Sequence, residues 1–572
     1  MRRHSPLLLF SLRVLAQDPG LPNGVADHQS AQLPAEADVV IIGSGISGTS
    51  IAWHLLKGTT SSSKTPPLRI AMLEARQACS GATGRNGGHI RPSSYAEYAE
   101  YAGAKQIVAR EEAARITRLR SAHVEALISA ADSLPEQGRL AAEARVVDSI
   151  DAFFDDARWE TAVRQMEVLK KEMPDIGSEW SVFEKDEARN ISLMPEVTGI
   201  MTGTAKMAAA IWPYRFVTHS LKSLLDTHPS FSLDTNTAAL EVIAITSTSD
   251  AASPPSPNYE VLTARGTIQA KHVVHASNAW TPHLVPGLRG AIRGARLHMS
   301  AHLGGGGLPR AGAWPSYSSG DGSLPGGRAW SLYRNGLDYA VQMPRDGEYM
   351  FGGDMVGVGG GVGEGRNTKG AATATAPVMS DAGPPSHITA SYLNGALPSY
   401  FGYENWGAER TDFPRQDGGG AAGAAGVYPG RSKRVWVGIE GSARDGRPFV
   451  GRLPRSATAR PVGDVWAGGG GEWVSAAFDG EGMCFAWLCG RALSGMMMAA
   501  SGAPEGREQE ALGVPEWFPR SFLVTEERLA NHSVTPGRAH RWMYPRMANA
   551  LSWDGEEPFL SFIKTAVLWA CL

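Results

Sequence analysis

The stretch ADVVIIGSGISGTSIAWHLL (37–56), followed by IAMLEAR (70–76) and ACSGATGRNGGH (78–89), decides how the rest of the chain is read. It opens on an unbroken apolar run at 39–42, the pattern of a strand buried on both faces. Gly43-x-Gly45-x-x-Gly48 follows at once, and an apolar helix is expected over 49–56. Each glycine has its own task there: a tight turn, close approach of a pyrophosphate to the backbone, and close packing of helix on strand. The start of the helix turns unpaired N–H groups and the positive end of its dipole toward the phosphates. A second strand, 68–73, ends at Glu74, where a carboxylate can accept hydrogen bonds from a ribose. A polar insert, 58–67, stretches the usual spacing of about 20 residues. A lone glycine triad is weak evidence, but strand, triad, helix, strand and terminal acid in that order specify a dinucleotide-binding unit. They do not choose between NAD and FAD.

Composition bounds the remaining possibilities. At 572 residues the chain has room for two or three domains or one large interleaved pair, and 43% hydrophobic residues is ordinary for a globular protein. A formal net charge of −3 gives no footprint for nucleic acid or an anionic membrane. Cys79, Cys484, Cys489 and Cys571 form neither a disulfide framework nor a metal-ligand cluster, so no metal is expected. A reducing, cytoplasmic location is the default, with a secreted or organellar one as the alternative. The N-terminal MRRHSPLLLFSLRVLA resembles a signal peptide only superficially, since Ser11 and Arg13 break its apolar run. FLSFIKTAVLWACL, at the C-terminus, is shorter than the ~20 apolar residues a membrane span needs and carries Lys564.

Taken in order, residues 1–35 are expected to be a flexible arm. A helical region is expected over 95–134, a strand over 144–150 and an amphipathic helix over 152–171, ended by Pro174. Short strands follow in FSLDTNTAALEVIAI (231–245), and the strand 272–276 ends in small residues with Asn278. Between 290 and 435, strand-like pieces (AWSLYR, DYAVQMP, EYMFGGD) alternate as in an antiparallel sheet. The glycine runs at 304–307, 357–365 and 418–426 are expected to be disordered surface insertions. A strand at 465–467 and another near 473–477 lead to Gly480-x-Gly482-Met483 and a helix over 484–498, which buries Cys484 and Cys489. Residues beyond 528 lose periodicity.

These motifs resemble the FAD-dependent oxidoreductase superfamily typified by D-amino-acid oxidase, sarcosine oxidase and glycine oxidase. The likeness lies in four blocks: 38–89, 231–280, 436–454 and 465–498. CSGATGRNGGH is the most specific, and is similar to a subgroup containing γ-glutamylputrescine oxidase-like enzymes and fungal proteins. The resemblance implies an α/β fold: a Rossmann-type FAD-binding domain interleaved with an α+β substrate domain on an antiparallel sheet. The expected FAD-binding domain is 36–105 with 231–285 and 436–500. The helical and substrate-binding domain is 106–230 with 286–435, and 501–572 is a C-terminal extension without order.

Carried over residue by residue, Gly43, Gly45, Ile46, Ser47 and Gly48 would hold the pyrophosphate, and Glu74, with Ala75 and Arg76 alongside, the adenosine ribose. Ser80, Gly81, Ala82, Thr83, Arg85, Asn86, Gly87 and Gly88 would run along the ribityl chain to the isoalloxazine. Ala239 would contact adenine through its backbone. Ala276 and Asn278 mark the return of the chain to the FAD domain, and Asp445, Gly480, Gly482 and Met483 would close over the pyrimidine end. Relatives that bond FAD covalently use a cysteine where this chain has WVGIEG, or a histidine that aligns with Arg85, so non-covalent FAD is expected. Ala477 stands where the family often has glycine.

In this family a hydride leaves a carbon next to nitrogen for flavin N5, the imine hydrolyses, and O₂ or another acceptor takes the electrons, the cofactor carrying the difficult step. The implied partners are a small amine or amino-acid substrate and that acceptor, with no nucleic acid and no membrane span. His89, Tyr333 and Arg296 are the candidate catalytic residues, with Tyr214, Arg215 and His298 as further pocket candidates; an arginine among them could clamp a substrate carboxylate. Oxidation of a hydroxy acid or a secondary-metabolite intermediate, and a non-catalytic flavin-binding relative, stay open as alternatives.

Overall fold

The computed structural model describes residues 24–58, 67–103, 107–245, 259–315, 326–353 except 335 and 346, 380–410 except 382, 384 and 386, 431–460, 470–501 and 513–533. Among the described residues two eight-stranded sheets carry the architecture. The first has a parallel centre in the order Phe231–Asp234, Ile70–Leu73, Glu36–Ile42, Gly266–His275 and Gly471–Ala476. At its centre 39–42, Ile70–Leu73, Val273 and Val274 are apolar and buried, as a sheet covered on both faces requires. Tyr259–Thr263, Ala239–Ala244 and Phe449–Arg452 add to it antiparallel. Ile42 lies opposite both Leu73 and His275, so Gly43, Glu74 and Ala276 emerge side by side at the carboxyl edge. Open α/β sheets bind their ligands at that edge.

The helix Ile46–Gly58 packs against Ala486–Ser501 so closely that a Cβ on Gly490 would strike the Ser50 hydroxyl, which itself donates 2.6 Å to the Trp487 carbonyl. The triad helix and the terminal helix thus brace each other over the sheet.

The second sheet runs Ser432–Ala443, Ile292–Leu303, Glu348–Gly353, Asp338–Gln342, Arg328–Tyr333, Asp148–Phe153, Gly199–Gly203, Trp180–Glu184. It is antiparallel throughout except between Arg328–Tyr333 and Asp148–Phe153. Alternation along its strands sends Trp330, Leu332 and Phe351 into a core with Phe401 and Trp406 of the helix His387–Trp406. Tyr333 and Phe153 point the other way, into a core with Tyr95, Trp159 and Met201.

Several expectations need correction. The helical region is two helices, Ser94–Ala102 and Arg110–Asp132. The strand expected over 144–150 is two, Arg145–Val146 and Asp148–Phe153, and the second runs on, so the next helix begins later, at Asp156–Glu172, where the Asp155 carboxylate accepts from the Arg158 N–H at 2.8 Å and caps it. Part of the N-terminal arm is pinned: Ala78 N–H donates to the Ala26 carbonyl at 2.9 Å, and the Asp234 carboxylate accepts from Ser30 N–H at 2.9 Å. The glycines at 304–307 are not a loose insertion. Gly306 N–H donates to the Ala408 carbonyl at 2.7 Å and Gly307 N–H to the Trp406 carbonyl at 2.9 Å, and a Cβ on Gly305 would collide with Trp406. Nor is the whole C-terminal extension without order, because Phe518 and Phe522 are fully buried against Phe485. The other glycine runs, the strand expected at 465–467 and most of the tail lie outside the described residues.

Candidate active site

The turn after Ile42 is built for backbone contact. Gly43 has φ +115°, and a Cβ there would sit 2.6 Å from the Ala276 carbonyl oxygen, while one on Gly48 would strike the Gly43 carbonyl. Both positions therefore require glycine. Gly45 differs: its Cβ would meet only the Thr83 side chain, with Oγ1 at 3.0 Å. That hydroxyl accepts from Ile46 N–H at 3.1 Å. The first N–H groups of a helix lack intrahelical partners, so the turn presents donors beside an open backbone at Gly45 and Ser47. Glu74 is held in place by donors from its own fold. One carboxylate oxygen accepts from Ser44 N–H (3.2 Å) and Ser44 Oγ (2.8 Å), the other from Arg76 N–H (3.0 Å), and this second oxygen keeps a lone pair for a ligand. Thr237 N–H donates to the Glu74 carbonyl at 2.8 Å and Asn236 N–H to the Arg76 carbonyl at 2.8 Å, which brings the start of Ala239–Ala244 beside Ala75.

The second segment folds back onto this turn. Cys79 N–H donates to Ser44 Oγ at 2.9 Å, and a short 3₁₀ turn, Ala82–Arg85, follows. Gly81 faces open space, and the buried Ser80 Oγ has no partner among the described residues. Asn86 closes the turn by donating to the Ala82 and Thr83 carbonyls and accepting from Gly88 N–H at 2.7 Å. Gly88 has φ +73° and lies against the Ile211 carbonyl. Gly87 rests on the second sheet, where a Cβ would come within 2.9 Å of Met299 and 3.5 Å of Tyr339. Arg85 donates to the Ser80 carbonyl (2.9 Å) and the Val437 carbonyl (2.8 Å), and its own carbonyl accepts from Trp436 Nε1 at 2.9 Å. Asp381 joins Arg76 at 2.8 Å and Arg85 at 3.5 Å.

The returning segments close the same space. Asn278, at φ +48°, accepts from Ala477 N–H at 2.8 Å, and Asp479 N–H donates to the Gly441 carbonyl at 3.0 Å. Ala477 (φ +64°), Asp479 (φ +54°) and Gly480 (φ +78°) take left-handed conformations, which explains why glycine would serve at Ala477. Gly482–Cys484 then winds a 3₁₀ turn that buries Met483 and leads into the terminal helix. Asp445 is engaged within the fold. Arg528 binds its two carboxylate oxygens at 2.9 and 3.0 Å, and Arg447 adds a contact at 2.8 Å.

The candidate catalytic residues fall in different places. His89 begins a two-residue strand and stacks on Tyr339, with ring centroids 6.1 Å apart. Its Nε2 is buried without a hydrogen-bond partner among the described residues. Burial, and secondarily the charge of Arg91, push its pKa down to about 3, so the ring is neutral. Tyr333 is in the core, stacked on Phe153 at 4.8 Å. Tyr214 is buried beside Gly84. Arg215 lies over the Trp212 ring at 3.5 Å and within 3.7 Å of Glu143. Arg296 and His298 alternate with Leu297 and Met299 and so project from the face opposite Met299. Sequence reasoning missed Tyr339, Met299 and Glu440, which lie on separate strands of the second sheet, and Arg91, which follows His89–Ile90 and reaches Ser149, Ser331 and Asp151 of that sheet with its side chain. No local spacing marks them.

A glycine-lined turn that only small backbone can occupy, an anchored ribose-type acid and an orphaned serine hydroxyl together suit an adenine dinucleotide with a long tail. Among the described residues no three His, Cys, Asp or Glu side chains could hold a metal ion, and no helix is long and apolar enough to cross a membrane. The model of the DAO family, FAD dependent oxidoreductase, matches residues 38–496. No curated protein sequence matches. Among solved structures, L-amino acid deaminase from Proteus myxofaciens is similar with a TM-score of 0.55 at 13% identity, over 87% of this chain and 95% of that one. Glycine oxidase from Geobacillus kaustophilus gives 0.52 at 16% identity (86% and 99% covered). L-proline dehydrogenase from P. horikoshii gives 0.51 at 16% identity (86% and 98% covered).

Proposed function

The chain belongs to the FAD dependent oxidoreductase family, and from that premise we propose that it oxidises the carbon–nitrogen bond of a small amine or amino acid, using FAD bound without a covalent link. The observation that carries this reading is the convergence of Gly43–Gly48, Glu74, 79–88, 276–278 and 477–483 on one cradle whose open side is backbone. Gly43, Gly45, Ile46, Ser47 and Gly48 would bind the pyrophosphate, Glu74 the ribose, and Ser80, Gly81 and Ala82 the ribityl chain. When bound, FAD supplies two-electron acceptance: the substrate loses a hydride from the carbon next to nitrogen, the imine adds water to give a carbonyl compound and ammonia or a smaller amine, and O₂ or another acceptor is reduced in turn.

The protein's own part is to orient and to exclude water. Gly87 presses the cofactor segment onto Met299 and Tyr339, and Gly88 onto the Ile211 carbonyl; His89, with a neutral ring, sets a buried Nε2 beside them. Tyr339 donates its hydroxyl to the Met299 sulfur at 2.7 Å, which fixes the ring against His89. The absence of cysteine from WVGIEG supports non-covalent binding.

Purified protein tests the reading directly. It should be yellow, release its flavin into the supernatant on acid precipitation, and be bleached anaerobically by some member of an amine and amino-acid panel. Parallel assays of H₂O₂ and of dye reduction separate an oxidase from a dehydrogenase. A protein that neither retains FAD nor can be reconstituted with it sinks the proposal.

A further inference from the structure

Residues 513–533 lie beyond the stretch that the family model matches, which ends at 496. They nevertheless pack into the cofactor half of the molecule. Phe518 and Phe522 meet edge to face, and Phe522 meets the Phe485 ring at 5.4 Å, directly after the turn Gly482–Cys484. Val524 and Leu529 are buried in one core with Ala443, Phe449, Ala476 and Ala477.

Arg528 is the centre of the contact. Its Nε and Nη2 fork onto the two Asp445 oxygens at 2.9 and 3.0 Å, and Nη2 also donates to the Arg447 carbonyl at 2.6 Å. Nη1 donates to the Pro448 carbonyl at 3.0 Å and, within its own segment, to the Phe522 carbonyl at 2.9 Å. The guanidinium lies over the Phe449 ring, 3.9 Å from its centroid. One side chain, in a residue 8% exposed, thus holds three acceptors of a single turn, 445–448. Five donors fixed in a plane can reach a carboxylate and two diverging carbonyls at once, which the single ammonium of a lysine cannot.

That turn joins Ser432–Ala443 of the second sheet to Phe449–Arg452 of the first. Its root is tied to the cradle, because the Gly441 carbonyl accepts from Asp479 N–H at 3.0 Å and Ser442 pairs with Phe478. The segment 513–533 therefore grips two of the returning stretches together: 445–448 through Arg528, and 476–485 through Phe522, Val524 and Leu529. Their separation is the separation of two walls of the cradle.

Resting on the cofactor cradle proposed above, we infer that 513–533 completes the FAD site and that Arg528 is a positioning residue for it, acting through the turn 445–448. Docking of the segment and binding of FAD then favour each other, and by linkage each strengthens the other by the same factor.

The full chain tests this as apoprotein and after reconstitution with FAD. Hydrogen exchange of the backbone N–H groups in 513–533 should slow by about tenfold or more when FAD binds, while the edge strand Trp180–Glu184 of the second sheet exchanges as before. A segment that serves only as scaffold would exchange alike in both states. Arg528→Lys keeps the charge and loses the fork; it should raise the FAD dissociation constant, read from quenching of flavin fluorescence, by about tenfold. Asp445→Asn with Arg528→Gln strands neither charge. Its apoprotein should keep a cooperative urea transition and bind FAD at least as weakly as Arg528→Lys. If 513–533 exchanges at one rate with and without FAD, or if a folded variant keeps the wild-type dissociation constant, the inference is overturned while the oxidoreductase reading stands. Should neither variant fold, the exchange comparison on wild type decides alone. Wild-type protein that cannot be reconstituted with FAD fails the cradle itself and takes this inference with it.

Discussion

The cofactor cradle and the substrate sheet are made by different means. In the cradle the decisive contacts belong to backbone: Gly43 against the Ala276 carbonyl, Gly48 against Gly43, Gly88 against Ile211. On the sheet they belong to side chains that meet across strands, such as Arg91 with Asp151, Ser149 and Ser331, or Tyr339 with Met299 and His89. A backbone contact tolerates no side chain at all and so fixes the residue as glycine. A side-chain contact fixes only a pair, and the pair can be exchanged for another.

The sharpest break in the cradle comes from comparing two of its glycines. Gly48→Ala places a methyl on the Gly43 carbonyl, between helix and strand, where neither backbone can give way. It should cost ~3 kcal/mol or more and leave little soluble protein, read as expression and unfolding midpoint. Gly45→Val meets only the Thr83 side chain within the protein. It should leave the apoprotein folded, with near-native unfolding in denaturant, yet abolish FAD retention by filling the space for the pyrophosphate. Should both variants fold alike, the distinction between a packing glycine and a ligand glycine is wrong.

The sheet breaks differently. Arg91 and Asp151 are both buried, and Tyr95 donates its hydroxyl to Asp151 at 2.5 Å. Arg91→Met strands the Asp151 charge away from water and should cost about 3–5 kcal/mol in urea unfolding. Arg91→Met with Asp151→Leu should recover most of that loss, because the stranded charge is gone. No such rescue exists for Gly48, and the contrast between a pair and a backbone contact is what the double variant measures.

The same distinction explains what was legible in the sequence. Glycine triad, terminal acid and second glycine segment are contiguous, and their chemistry is carried by residue type, so the parallel sheet and the family were readable from 37–89. The strands Arg328–Tyr333, Asp338–Gln342 and Glu348–Gly353 were also readable from their alternation. Which of their faces meets the cofactor was not, since it depends on how Gly87 docks on Met299, more than 200 residues away in sequence. The charge of Arg296 suits a carboxylate clamp, yet strand parity sends it to the face opposite Met299. The glycines at 304–307 misled for a related reason: composition suggested a loop, while their lack of side chains is what lets them press against Trp406. The segment 513–533 escaped notice because Phe518, Phe522 and Arg528 find their partners only in three dimensions.

The smallest effect concerns a side chain that serves the cradle. His123, fully buried on the helix Arg110–Asp132, donates from Nδ1 to the Leu119 carbonyl at 2.8 Å and accepts the Leu488 N–H at Nε2, 3.1 Å away. Those partners assign the neutral tautomer with its proton on Nδ1. Leu488 lies in the first turn of the helix that braces the glycine triad, so His123 satisfies an N–H that the helix cannot. Burial lowers the His123 pKa to about 4, against the opposing pull of its hydrogen bonds to backbone. Because the folded value lies below the ordinary one, the unfolded chain binds the proton more tightly. Stability is therefore full above about pH 6.5 and falls as pH drops toward 4, by up to about 1.4 kcal/mol per unit from this one group. Thermal unfolding followed from about pH 7 to about pH 5 should show the decline, shared with other histidines lowered mainly by burial, among them His54 and His302 (to about 4) and His89 and His272 (to about 3). His123→Gln should flatten part of the slope while keeping a side-chain oxygen to accept from Leu488. A slope identical in the variant would mean that the His123 proton does not couple to folding, and that the helix Ala486–Ser501 is held by its contacts with Ile46–Gly58, such as Ser494 with the Ile51 carbonyl, without help from His123.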